Sequence, residues 1–385
     1  MTSTSWRWRM AALGSAALVV AGCAGPEPIS VEQRLREDVA AIHALGVSGI
    51  QARVVAPNGG QTVATAGTAD LSTGAPVAAD GYFRMASTVK TMVATVVLQL
   101  AGEGALSIDD PVDRWLPETV LGNGHDGTAT TIRQLLQHTS GLRDDLPGYT
   151  TPDEYLQQRY DQHSAERLVA RTLANAPGSA PGAVWAYSNT GYLLLDMIIE
   201  RVTGGPGHRA IEERIVGPLG LDDTRWTGTS PTLPTPHARA YEFFGPGAEI
   251  DVTEQIPVGH ALSWVTTTRD QNDFFRALLG GRLLAPGELA EMKRGVPVSA
   301  EIEPMWPGGR YGLGLLERPL SCGGTYWSHE GGDGGYITLN GVTEDGARSA
   351  VVSMSEALGD TPEHILEQER AAAALIDHAL CPGGS

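Results

Sequence analysis

Lysine is almost absent from this chain. Lys90 and Lys293 are the only two in 385 residues, against 25 arginines. Arginine serves wherever a plain positive charge suffices, so a lysine kept at one place suggests a task that a permanently charged guanidinium cannot perform. Giving up a proton to activate a nearby hydroxyl is one such task. Cysteine is scarce as well, at positions 23, 322 and 381. Beyond the first 23 residues no segment is long and apolar enough to span a bilayer. There is no internal repeat and no long low-complexity stretch. Positive charge is outweighed throughout, with a formal net charge of −18. That balance argues against a nucleic-acid partner, which requires a basic face, and indicates a solvated acidic surface.

The N-terminus indicates where the protein works. Arg7 and Arg9 form a basic start, Ala11 to Ala21 is a short apolar run, and Val20-Ala21-Gly22-Cys23 places small residues before a cysteine. The pattern reads as a secretory signal over residues 1–22. Its ending resembles a bacterial lipoprotein processing site, with Cys23 as the lipidated first residue and 23–30 as a tether. Losing Arg7 and Arg9 takes the net charge from −18 to −20. The expected location is extracytoplasmic, anchored to the cell membrane. In an oxidising compartment Cys322 and Cys381 are candidates for a disulfide, with two separate buried thiols as the alternative.

About 360 residues remain, enough for one large domain or two intimate ones. Val31 to Leu45 predicts an amphipathic helix. Val47 to Ala56 and Gln61 to Gly67 predict two strands joined by the turn Pro57-Asn58-Gly59-Gly60. Thr88 to Ala101 predicts an apolar helix ending near Gly102 and Gly104. From Asp109 to about Val258 the signals are helical, with candidates at 131–138, 165–175, 189–202 and 208–215. Further helices are predicted at 268–279 and 286–294. Strand signals return at Tyr311 to Glu317, Tyr326 to Ser328, Gly335 to Val342 and Ala347 to Met354, and 361–380 closes the chain as a helix. The expected fold is therefore α+β. Residues 31–108 plus 260–385 form an antiparallel sheet flanked by helices, and 109–259 is an inserted, mostly helical domain.

Three clusters carry chemistry. In the first, Ser87 and Lys90 lie at i and i+3 of the buried helix start, so Nζ can reach Oγ, and free backbone N–H groups favour developing negative charge. Neutrality near pH 7 requires the lysine pKa to fall from about 10.4, at a cost of about 4 kcal/mol. Burial or a neighbouring cation can supply that. The competing reading is a capping serine beside a surface lysine, which the apolar run Val89, Val93, Val96, Val97, Leu100 weakens. The second cluster is Tyr187-Ser188-Asn189. A phenolate with cationic neighbours is a competent base, and Asn189 offers an amide for substrate contacts. Otherwise Asn189 caps a helix over a packed Tyr187. The third is Trp327-Ser328-His329-Glu330-Gly331-Gly332-Asp333-Gly334-Gly335-Tyr336. Its glycines allow close approach of a backbone or an extended substrate, or else form a plain turn with a surface histidine. Its acidic residues are too few and wrongly spaced for calcium, and no metal or cofactor is expected.

Ser87-Thr-Val-Lys90, Tyr187-Ser-Asn189 and His329-Glu-Gly331 together resemble, in order, the three motifs of the penicillin-binding serine hydrolase superfamily. The likeness is to the branch of class C β-lactamases and serine D-Ala-D-Ala carboxypeptidases. Gly104-Ala-Leu-Ser-Ile-Asp-Asp-Pro-Val, Leu135-Leu-Gln-His-Thr-Ser-Gly-Leu142 and Gly217-Pro-Leu-Gly-Leu-Asp-Asp-Thr224 extend it over roughly 31–373. The resemblance implies a β-lactamase/transpeptidase-like fold. It implies Ser87 as acylated nucleophile, Lys90 and Tyr187 sharing proton transfer, Asn189 and Gly331 in substrate binding, and His329 in place of a catalytic lysine. The backbone N–H groups of Ser87 and Gly332 form the implied oxyanion hole. His138 is implied to be structural.

Glu330 departs from the pattern, standing where relatives carry a hydroxyl that binds a substrate carboxylate. An ionised Glu330 near the site would repel such a carboxylate, unless an arginine such as Arg310 offsets it or the side chain points away. Three activities stay open. One is a carboxypeptidase acting on cell-wall peptide. Another is an esterase or D-aminopeptidase/amidase acting on a small ester or amide. The last is a non-catalytic penicillin-binding or wall-sensing lipoprotein. A monomer is expected. No Gly-x-Ser-x-Gly elbow supports an α/β-hydrolase.

Overall fold

The computed structural model describes Met1 and residues 29–245, 249–259, 262–355 and 361–381. The expected signal segment beyond Met1, and Cys23, lie outside the described residues. Two runs rich in β-branched residues, Gly49–Val55 and Gln61–Asp70, pair as an antiparallel hairpin, with Val55 opposite Gln61. Gly49–Val55 also pairs with Ser349–Met354, Ile50 opposite Met354, so the two ends of the chain close one sheet. That sheet has ten strands. Its order is Val296–Pro297, Arg310–Tyr311, Leu316–Pro319, Thr325–Ser328, Tyr336–Thr343, Ser349–Met354, Gly49–Val55, Gln61–Asp70, Ala75–Pro76, with Gly331–Asp333 added beside Tyr336–Thr343. The expected α+β class with an antiparallel sheet is what forms.

Both faces of the central strands are covered. On one, helices Val31–Ala44 and Pro362–Leu380 seat Leu35, Val39, Ile42, Leu375 and Ile376 against Ile50, Ala52, Leu339 and Val352. On the other, helix Thr268–Leu279 receives Arg53, whose Nε donates to Thr268 Oγ1 at 3.2 Å. A second core surrounds helix Val89–Gly102, which is buried along nearly its whole length. Met92, Val93, Val96 and Val97 meet Ile132, Leu135 and Leu136 of Ile132–Leu136 and Leu194 and Ile198 of Asn189–Thr203. Cys322, in the turn between Leu316–Pro319 and Thr325–Ser328, and Cys381, at the end of the last helix, are joined as a disulfide. Among the described residues no helix is long and apolar enough to cross a membrane, and no cluster of His, Cys, Asp and Glu could hold a metal ion.

Three details differ from what the sequence pattern suggests. The strand expected over 311–317 is broken into two. Gly314, at φ +71°, turns the chain so tightly against the helix that a Cβ would sit 2.5 Å from Ala94 Cβ. The middle of the chain is not purely helical. It holds the hairpin Tyr241–Phe243 with Glu249–Asp251, and Arg225–Trp226, which joins Trp264–Thr266 and Phe83–Arg84 in a small sheet. These strands are two or three residues long, too short to show a period. The glycine-rich stretch is itself a hairpin: Gly334 and Gly335, at φ +51° and +73°, link Gly331–Asp333 to Tyr336–Thr343.

Candidate active site

The nucleophile sits where the small sheet hands the chain to the buried helix. A 3-10 turn, Ala86–Thr88, follows strand Phe83–Arg84 and runs into Val89–Gly102. Ala86 takes φ +49°, a left-handed conformation that costs an alanine free energy and persists because the surroundings fix it. Gly331 is part of that fixing. A Cβ on it would lie 2.6 Å from Met85 O and 3.1 Å from Ser87 N, so only glycine lets strand Gly331–Asp333 run this close to the nucleophile turn.

Ser87 Oγ has two partners. Lys90 Nζ is 2.9 Å away, and Tyr187 donates its O–H to Oγ at 2.7 Å. Lys90 Nζ also donates to Asn189 Oδ1 at 2.6 Å. Burial pulls the Lys90 pKa down to about 7, against an upward pull from Asp144. Burial pushes the Tyr187 phenol the other way, above its usual value, with the Ser87 hydrogen bond opposing. Ser87 thus has one neighbour close to neutral at physiological pH and one that holds its proton. Neutral Lys90 can accept the Ser87 hydroxyl proton while its own N–H donates to Asn189.

Asn189 is free for this work because another residue caps its helix. Ser188 Oγ accepts the Gly191 N–H at 3.3 Å, and Asn189 is the first helical residue. Asp144 fixes its amide, accepting from Asn189 Nδ2 at 2.9 and 3.2 Å and from its backbone N–H at 3.2 Å. Beneath Tyr187 lies His138, its ring 4.3 Å from the phenol ring, with further ring contacts to Trp185, Tyr192 and Tyr311. Its Nδ1 accepts the Ser188 N–H at 3.1 Å, and burial holds its pKa well below the usual range. A neutral, packed ring is what a supporting role requires.

The third motif divides differently from the sequence reading. His329 is 2 % exposed. Its Nδ1–H donates to Glu330 O at 2.7 Å, and its Nε2 accepts from the buried Tyr311 hydroxyl at 2.7 Å. Burial, reinforced by Lys90, lowers its pKa to about 3. The ring is neutral and cannot stand in electrostatically for a lysine. Glu330 is not on the substrate side. Its carboxylate is paired with Arg318 at 2.7 Å and accepts from Trp306 Nε1 at 2.5 Å. Arg318, not Arg310, is its counter-charge, while Arg310 donates to Gly295 O. The physical reason is the pleat: Glu330 and Asp333, three apart, face opposite sides, and the Gly331 side faces the nucleophile.

A cavity of about 380 Å³ opens over Ser87. Its wall includes Ser87, Lys90, Asn189, Leu193, Trp264 and Gly332. The backbones assigned to the oxyanion hole, Ser87 and Gly332, therefore border one space. His329, Glu330 and Gly331 do not line it. Four residues that sequence reasoning passed over belong to the site: Asp144 behind Asn189, and Glu242, Gln255 and Asp333 on the cavity wall. Asp333 alone carried a signal, its odd spacing from Glu330 on a strand. The other three come from segments with no motif of their own, Asp144 and Gln255 from connectors and Glu242 from the short strand Tyr241–Phe243.

The Beta-lactamase family model matches residues 31–376. Esterase EstB of Burkholderia gladioli is 38% identical over 181 residues, which is 43% of this chain and 43% of the esterase. The D-alanyl-D-alanine-carboxypeptidase/endopeptidase AmpH of Escherichia coli is 30% identical over 155 residues, 38% of this chain and 37% of that protein. The match spans less than half the length of either curated relative. Among solved structures, a D-stereospecific amidohydrolase from Streptomyces sp. superposes with TM-score 0.79 at 38% identity, covering 88% of this chain and 98% of that one. The D-amino acid amidase of Ochrobactrum anthropi SV3 superposes with TM-score 0.78 at 27% identity, covering 91% and 98%.

Proposed function

The chain belongs to the Beta-lactamase family, and from that premise we propose a serine hydrolase that forms an acyl-enzyme on Ser87 and acts on amides or esters of D-amino acids. The observation that carries the reading is Ser87 Oγ held between Lys90 Nζ at 2.9 Å and the Tyr187 hydroxyl at 2.7 Å. Neutral Lys90 takes the Oγ proton as Oγ attacks the acyl carbon. The negative oxygen that develops is met by the backbone N–H groups of Ser87 and Gly332. Tyr187 keeps its proton at neutral pH and holds it against Ser87 Oγ, where it can be handed to a departing nitrogen. Lys90 gives its proton back to Tyr187, and a water then adds to the acyl carbon, its proton passing to Ser87 Oγ as the ester bond breaks.

The choice of amide or ester over a C-terminal peptide rests on charge. Among the described residues Lys90 is the only cationic side chain on the cavity wall, and Glu242 and Asp333 are the acidic ones. A substrate carboxylate, as a D-Ala-D-Ala carboxypeptidase requires, has no guanidinium to meet there. The likeness to the Streptomyces amidohydrolase over nearly its whole length supports the D-configured class. The leader-like N-terminus and the Cys322–Cys381 bond support an extracytoplasmic, membrane-tethered enzyme. The test is turnover of p-nitrophenyl acetate and labelling by a fluorophosphonate, each compared with Ser87→Ala. The expected loss is at least ~10³-fold. Equal turnover by the two proteins would refute the reading. Release of D-Ala from a D-Ala-D-Ala peptide faster than hydrolysis of D-amino-acid amides would return the substrate to the carboxypeptidase class.

A further inference from the structure

We propose that Glu242, Asp333 and Gln255 form a subsite for a substrate ammonium, so that the acyl group delivered to Ser87 belongs to an amino acid with a free α-amino group. The inference rests on the acyl-enzyme reading above and adds which part of the substrate the cavity recognises. Three observations meet at one place.

The first is position. Asp333 directly follows Gly332, whose N–H borders the space over Ser87. A substituent on the carbon next to the acyl carbon comes within one residue of the Asp333 side chain. The turn that presents Asp333 is clamped. A Cβ on Gly335 would lie 2.8 Å from Tyr241 O, and one on Gly334 would lie 1.6 Å from Gln255 Nε2. The hairpin tip is therefore pressed against the segments that carry Glu242 and Gln255.

The second is the state of the acceptors. Neither the Glu242 nor the Asp333 side chain makes a hydrogen bond or ion pair with a described residue, and the Asp333 charge adds to the negative potential at Glu242. Burial raises both carboxyl pKa values. Arg84 is the one cation that acts on Asp333; its Nη2 is turned to backbone, donating to Pro231 O, Thr253 O and Gln255 O at 3.0–3.1 Å, and its buried Nε and Nη1 make no hydrogen bond to a described residue.

The third is independent of charge. Gln255 is 5 % exposed and lines the cavity, yet its side-chain amide has no hydrogen-bond partner among the described residues. Arg84 holds its backbone carbonyl, which fixes the residue beside the cleft. The amide is open to the cavity, so a ligand seated there can take up its hydrogen-bonding capacity. An ammonium brings three N–H donors and a positive charge. Two carboxylates and one amide oxygen are a matching set.

The experiment compares D-phenylalanine p-nitroanilide with its N-acetyl derivative, and p-nitrophenyl acetate serves as the control for the acyl-enzyme itself. Wild-type enzyme is expected to favour the free amine by about 10–100-fold in kcat/KM, the range of one or two charge-assisted hydrogen bonds. Asp333→Asn and Glu242→Gln should each shrink that ratio about tenfold, mainly through KM. Equal or faster hydrolysis of the acetylated anilide by wild type would overturn the proposal, and this measurement needs no variant to fold. So would an unchanged ratio in both variants. If neither anilide turns over, D-phenylalanine amide must still compete with p-nitrophenyl acetate more strongly than N-acetyl-D-phenylalanine amide does, and failure to compete also overturns it. Loss of p-nitrophenyl acetate turnover in Ser87→Ala keeps the acyl-enzyme reading standing whichever way these results fall.

Discussion

The two walls of the cleft were built by different physics. On the nucleophile wall, Ser87 and Lys90 are three residues apart where a 3-10 turn runs into a helix, and their contact at 2.9 Å follows from that local geometry. On the opposite wall, strand Gly331–Asp333 presents Gly332 and Asp333 to the cavity and sends Glu330 to Arg318. Local periodicity says that 330 and 333 face opposite ways, but only the docking of Gly331 on Met85 and Ser87 says which way is inward. A helix start carries its own reference frame, whereas a strand takes its frame from its neighbours.

The largest effect that would sharpen this contrast is at Lys90. Replacing it with Met should lower kcat/KM by ~10²–10⁴-fold, the usual contribution of a positioned base. The same change should stabilise the fold. The folded-state pKa of Lys90 lies at about 7, below its ordinary value of 10.5. Between those two pH values the unfolded chain binds more protons than the folded one, so stability rises with pH across that window. Below pH 7 the buried charge costs on the order of 4 kcal/mol. Unfolding in denaturant at pH 6.5 should show Lys90→Met more stable than wild type, and the gap should close towards pH 10.5. The wild-type pH profile of kcat/KM should fall on its acid side with an apparent pKa near 7, since protonated Lys90 cannot take the Ser87 proton. A profile flat from pH 5 to 9 would remove Lys90 from the role of base.

Gly331→Ala tests how tightly the strand wall is set against the nucleophile. A methyl group there meets backbone at 2.6 Å, so the turn or the strand must shift. A displacement of a few tenths of an ångström to an ångström between Ser87 and Gly332 should cost ~10²-fold in kcat. Activity within a few-fold of wild type would show that the two walls are not rigidly coupled.

The smallest catalytic effect belongs behind the strand. Arg318→Met leaves the Glu330 carboxylate buried without its counter-charge, and stability should fall by about 3 kcal/mol. The kcat/KM for a small neutral ester should change by no more than a few-fold, because neither Arg318 nor Glu330 borders the cavity. A large rise in KM with unchanged stability would put Glu330 back on the substrate side.

Sequence by itself determined the antiparallel sheet with its covering helices, the Ser87–Lys90 pair and the pairing of Tyr187-Ser188-Asn189 with a helix start. Each rests on a local period or a cap that neighbouring residues fix among themselves. It also read Glu330 as a substrate contact and His329 as a catalytic group, and tertiary structure decided otherwise. Arg318 and Trp306 capture the carboxylate, and burial beneath Tyr311 keeps the imidazole neutral. Asp144 and Gln255 from connectors, and Glu242 from a three-residue strand, reach the site from up to about 170 residues beyond Ser87. Nothing in a one-dimensional pattern announces them. Their role comes from where the sheet, the buried helix and the connectors between them close around one cavity, and burial there sets both which groups stay charged and which are left without a partner.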